Sequence, residues 1–166
     1  MATLTLIPSG AGLLSESTFS ALATRWQCAA YAGSTATNNV RVSVFDDVIT
    51  SHDLYALPTR TFVSETITSA RISANQTLNG TAHVYVGFND GIGTYWTSLL
   101  DSGVMTTNPR TGLAWTTGQI NALQIGVLLF ADDTSDSGGA SAYANTLTIT
   151  ITYSSGIDTT KFFAIL

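Results

Sequence analysis

His52, His83 and Cys28 are the chain's only histidines and cysteine, and so its main candidates for acid–base or thiol chemistry near neutral pH. A nucleophilic triad needs a histidine beside a serine or cysteine, and a carboxylate that orients the imidazole. His52 stands in Ser51-His52-Asp53, which reads as a turn, and His83 lies between Ala82 and Val84 on the wet face of a strand. Neither occupies a Gly-x-Ser-x-Gly elbow or a zinc-ligand spacing. Cys28, in Trp26-Gln27-Cys28-Ala29-Ala30, follows an alternating pattern and reads as a small buried apolar residue; a lone cysteine also excludes an internal disulfide framework. Glu16 and Glu65 would have to meet in the fold to form a hydrolytic acid/base pair, the least favoured reading. These residues predict a protein that is not an enzyme.

Two acidic clusters offer the carboxylate oxygens that Ca²⁺ takes: Asp46-Asp47 with Asp53, and Asp132-Asp133 with Asp136. Neither follows the EF-hand spacing, and short acidic turns ordinarily solubilise strand ends. The second is the better metal candidate, because Asp, Thr, Ser and Gly crowd one loop; the expectation is no cofactor. Tyr85, Tyr95 and Trp96, near Asp90, form a candidate glycan-facing surface, although aromatics in alternating strands also serve as core. Gly91-Ile92-Gly93 is not a phosphate loop, since no helix follows it. The triplets Asn75-Gln76-Thr77 and Asn79-Gly80-Thr81 read as turn residues rather than glycosylation sites.

The elements that carry these residues are strands. Charged residues are only 10% of the 166, against about 25% in ordinary soluble domains, so Thr, Ser, Asn and Gly must dominate the surface. A net charge of -5, with Lys161 the single lysine and the arginines scattered, argues against a nucleic-acid groove and for a protein or glycan partner. The first residues lack a basic n-region, and no apolar run approaches the ~18 residues of a membrane span, which predicts a chain made in the cytosol without a membrane segment.

Leu147, Ile149, Ile151 and Tyr153 alternate with threonines, the pattern of a strand with one wet face. Leu4 and Leu6, Val40 to Val44, and Ala82 to Phe88 repeat it; Trp26 to Tyr31, Phe62 to Ile67, Ala70 to Ala74 and Ile125 to Ala131 are less regular. Ile125 to Ala131 is apolar on both faces, as in a central strand or one at a subunit contact. Turn signals lie at Asn38-Asn39, Asn89-Asp90-Gly91 and Asp132 to Gly139, and Asn79-Gly80 between two alternating runs predicts a hairpin. One helical turn, capped by Thr116 or Thr117, places Ile120 and Leu123 on one face. The expected fold is all-β: an antiparallel, jelly-roll-like β-sandwich of eight to ten strands with one short helix, a single domain over 1–155. Residues 156–166 read as an extended apolar arm in which Phe162, Phe163, Ile165 and Leu166 contact the domain itself or a neighbour.

The run from Asn108-Pro109-Arg110-Thr111-Gly112-Leu113-Ala114-Trp115-Thr116 to Asn121-Ala122-Leu123-Gln124-Ile125-Gly126-Val127 resembles a signature of small tailed-phage virion proteins of the β-sandwich type. In physical terms Asn-Pro and Thr-Gly make a turn, Trp115 buries an indole, and the capped turn packs Ile120 and Leu123. The resemblance extends more loosely from Trp26 to Tyr153 and transfers no functional residue. It implies a virion structural protein, foremost a capsid decoration or cement subunit. Such a subunit would be homo-oligomeric, with a trimer favoured, and would bind the major capsid protein or other virion proteins after synthesis in the host cytoplasm. The alternative is a tail or head-fibre module that recognises host glycans.

Overall fold

A computed structural model of the chain describes residues 1–16, 18–19, 40–44, 47–134 and 139–155. The strand expected over Trp26 to Tyr31 with Cys28, the turn at Asn38-Asn39, Asp46, Asp136 and the arm 156–166 lie outside the described residues. Within them two five-stranded antiparallel sheets form the expected all-β sandwich. The strand order supports a sandwich without specifying a jelly roll.

The first sheet is built on β10 (Ala140–Ser154). One flank of β10 pairs with β6 (Thr66–Asn79); the other pairs with β4 (Val40–Val44) and then with β1 (Ala2–Leu6), while β3 (Thr18–Phe19) pairs with β4. A strand this long must keep its apolar side chains on one face, yet Ala140, Ala142 and Ala144 are even-numbered and Leu147, Ile149 and Ile151 odd. All six are buried. A bulge between Asn145 and Thr148 reverses the parity, with Thr146 at φ 51°. In β6 the phase changes from Ile67 to Ala70, Ile72 and Ala74, and the register shifts there too, opposite Thr152 and Tyr153. The outer face is hydroxyl-rich, with Thr5 to Thr150 and Ser73 to Thr148 each 3.2 Å apart.

The second sheet runs β2 (Gly10–Ser15), β5 (Val48–Ala56), β9 (Gln124–Asp132), β7 (Thr81–Asn89) and β8 (Thr94–Trp96). β9 is central, in register with β5 and β7 along its whole length, which accounts for its two apolar faces. Ile125, Val127, Leu129 and Ala131 meet Ala82, Val84, Val86 and Phe88 in the core. Residues 97–105 stitch the sheets together on one side. Met105 exchanges backbone bonds of 2.8 and 3.0 Å with Ala70 on the free edge of β6, and Leu99 and Thr97 bond Val86 of β7.

Four expectations need correction. Asn75-Gln76-Thr77 is not a turn but part of strand β6, paired with Asn145, Ala144 and Tyr143 of β10. Asn79-Gly80 is not a hairpin turn: Asn79 pairs with Ser141 in the first sheet and Thr81 with Asp132 in the second, so the turn, with Gly80 at φ 64°, carries the chain between sheets. Ser51-His52-Asp53 is the middle of strand β5 rather than a turn. The strand expected from Phe62 begins only at Thr66, because the side-chain amide of Asn121 holds the Phe62 N–H and C=O, at 2.8 Å each. The helix α1 (Thr117–Asn121) forms as expected, with Thr116 and Gln119 making a reciprocal capping box.

Candidate functional site

The segment from Asn108 to Gln119 converges on a carboxylate that the sequence alone does not single out. Asp90, at the β7–β8 turn, is 1% exposed. The Arg110 guanidinium donates to both its oxygens, from Nε at 3.2 and 3.0 Å and from Nη2 at 2.9 Å. Asn108, fully buried, donates its Nδ2–H at 2.8 Å, Gln119 of the capping box donates Nε2–H at 3.4 Å, and the Ile92 and Gly93 amides close the shell at 3.1 Å. Burial raises the Asp90 pKa, but the bonds from Arg110, Asn108 and the two amides outweigh it and hold the carboxyl below its ordinary range. Asn108 also accepts the Arg110 amide on its Oδ1 and the Gly112 amide on its carbonyl, with Gly112 at φ 73°.

This latch fixes two turns against each other and leaves an aliphatic side chain in solvent on each, Ile92 at 73% and Leu113 at 70% exposure. Beneath it Trp115 packs on Phe88, ring centres 5.2 Å apart, and donates its indole N–H to Met105 O at 3.1 Å. Asn108, Arg110, Trp115, Thr116 and Gln119 are thus spent on scaffolding, as the sequence reading implies for Asn108, Trp115 and Thr116.

The outer face of the second sheet gathers half-exposed rings. His83 stacks between Tyr85 and Phe130, at 5.8 and 5.9 Å, and Leu128 lies between Tyr85 and His52 in the register. Trp96 rests on Gly87, where an added Cβ would come within 2.2 Å of the indole, and its ring stands 5.5 Å from that of His52. Gly87 pairs with Gly126, where an added Cβ would meet the Asp53 carbonyl and the Leu54 side chain of β5. The Glu16 carboxylate accepts the His52 amide at 2.8 Å and lies 3.1 Å from Nδ1; these two contacts, the amide first, lower its pKa.

Of the three aromatics expected on a glycan-facing surface, Tyr85 and Trp96 share this face. Tyr95 does not: it packs inward on Phe88 at 5.5 Å. Successive residues of a strand point to opposite faces, so Tyr95 and Trp96 cannot share one.

Asp132 accepts the Thr134 amide and hydroxyl, at 3.0 and 2.7 Å, and Asp133 accepts the Gly139 amide at 3.1 Å, as acidic turn residues do. Asp136 lies outside the described residues, among which no group of three His, Cys, Asp or Glu side chains comes together. The other acidic cluster is split by β5: Asp47 sits at its start, whereas Asp53 is buried mid-strand and accepts the Tyr55 hydroxyl at 2.9 Å. Glu65 accepts the Val63 and Ser64 amides in its own loop, while Glu16 is held by His52, so these two carboxylates do not pair. Comparison with known proteins finds no matching family pattern, no matching curated protein and no matching solved structure.

Proposed function

We propose that the chain is a virion structural protein of a tailed phage, a capsid decoration or cement subunit that acts by protein–protein contact rather than catalysis. The observation that carries this reading is the Asp90 latch. A buried carboxylate, hydrogen-bonded on both oxygens, ties two turns together, and each turn holds an aliphatic side chain in water, Ile92 and Leu113. Rigid apolar side chains lose little entropy on docking, so such a tip suits a protein contact. Asn108, Arg110 and Gln119, three of the groups that hold Asp90, belong to the segment resembling phage virion proteins, while Asp90, Ile92 and Gly93 come from the β7–β8 turn outside it. Modest contacts of this kind suffice when repeated across a shell.

The decisive experiment is co-sedimentation with phage heads stripped of the protein. The double variant Ile92→Asp/Leu113→Asp should retain its circular dichroism and melting temperature but bind heads about tenfold or more weakly, since two desolvated charges oppose docking. Wild-type binding by the double variant overturns the contact. Deleting Gly156 to Leu166 and measuring oligomeric state by ultracentrifugation tests the proposed homo-oligomer and its arm separately; unchanged association removes the arm from the interface.

A further inference from the structure

We infer that the Trp96 end of the second sheet's outer face is a carbohydrate-binding platform for a neutral pyranose oligosaccharide. The inference does not depend on the Ile92/Leu113 contact. Sugar recognition needs an exposed aromatic surface, against which the C–H faces of a pyranose pack, with hydrogen-bonding side chains at its rim. Trp96 is half-buried because one side of its indole rests on Gly87. Any side chain at position 87 would meet the ring or the Tyr95 carbonyl, so the glycine fixes the indole against the sheet.

The rim is supplied from β5 and the end of β2. The His52 ring stands 5.5 Å from the indole and is tied through Nδ1 to Glu16, whose side chain is half exposed. That contact occupies one imidazole nitrogen and leaves Nε2 and the second carboxylate oxygen to pair with sugar hydroxyls. Tyr85, one step along the same face of β7 from Gly87, adds a phenol held by stacking on His83. The selectivity follows from charge: Glu16, its pKa lowered by its bonds to His52, stays ionised at neutral pH in a chain of net charge -5, which repels sialylated or uronic-acid glycans.

The full chain would be titrated with neutral hexasaccharides built on glucose, mannose and N-acetylglucosamine, and with a sialic acid hexamer, using isothermal calorimetry and saturation-transfer NMR. At least one neutral oligosaccharide should bind saturably, about tenfold more weakly in Trp96→Ala, and unchanged in Ile92→Asp/Leu113→Asp. Tyr85→Ala on the same face should weaken it less, and keeps the test decisive if Trp96→Ala fails to fold. Three outcomes overturn the inference: no saturation by any neutral hexasaccharide at ~10 mM, tighter binding of the sialic acid hexamer, or wild-type affinity in both variants. None of them bears on binding to phage heads, which is read separately.

Discussion

Two Asp–Arg pairs in this sandwich have the same chemistry and opposite settings. Asp90 and Arg110 meet at the end of the second sheet with the Asp90 side chain wholly out of solvent; Asp101 and Arg71 meet on the first sheet with 37% and 54% of their side chains exposed. Both carboxylates accept a guanidinium on both oxygens, Asp90 with two backbone amides besides and Asp101 with one, and both have lowered pKa values. The difference lies in what happens when a partner is lost. Water replaces the missing half of the exposed pair, whereas a buried charge has nothing to turn to. The same Asp–Arg pairing therefore locks a tip in one place and decorates a surface in the other.

The largest difference between the two pairs is expected at Asp90. Asp90→Asn should cost about 3–5 kcal/mol, measured by chemical denaturation, because it leaves Arg110 without its counter-charge and puts an amide where two guanidinium bonds converge. A cost no larger than that of the exposed pair would show that the latch is not what stiffens the tip. The pH dependence has a defined sign. The folded pKa of Asp90 lies below its unfolded value, so its contribution is complete above the ordinary carboxylate range and is lost as pH falls through the folded pKa. The stability gap between wild type and Asp90→Asn should be flat from pH 7 to about 5 and close below about pH 4.

Much of the fold was legible because alternation survives wherever a strand has one wet face, as in Leu147 to Tyr153 and Ala82 to Phe88. β5 was not legible, since its inward positions include Ser51 and Asp53, polar residues that break the pattern; Asp53 is tolerated there because the Tyr55 hydroxyl and the Glu16 amide satisfy it. The Asn79-Gly80 turn misled for a related reason, as local turn chemistry cannot tell a hairpin from a step between sheets. At the latch, Asn89-Asp90-Gly91 announced a turn and Asn108-Pro109 another beside Arg110, but their meeting across twenty residues depends on packing by Trp115 and α1. The separation of Tyr95 from Trp96 was available from strand parity alone.

Ser51 is buried like Asp90 but without partners, so the sign of its effect should reverse. Its hydroxyl is buried, and among the described residues it has no hydrogen-bond partner. Ser51→Ala removes a group that lost its water on folding and should stabilise the protein by about 1 kcal/mol, read as an upward shift of the denaturation midpoint at constant slope. Destabilisation would mean that the hydroxyl is satisfied, and that Ser51 belongs with Asp90 as a buried polar group the fold uses.

The smallest effect belongs to the exposed pair, and it separates two roles of Asp101. Besides Arg71, Asp101 accepts the Gly103 amide at 2.9 Å, in the segment that covers the edge of β6. Arg71→Ala removes the ion pair and leaves that turn intact, so its melting temperature should move by less than about 2 °C, with the difference shrinking further in 1 M NaCl. Asp101→Asn keeps a carbonyl oxygen for the Gly103 amide and should behave like Arg71→Ala. Asp101→Ala loses the turn as well and should cost more than either. If Arg71→Ala instead approaches the cost of Asp90→Asn, exposure does not govern these pairs, and the guanidinium must act by holding the 97–105 segment against β6.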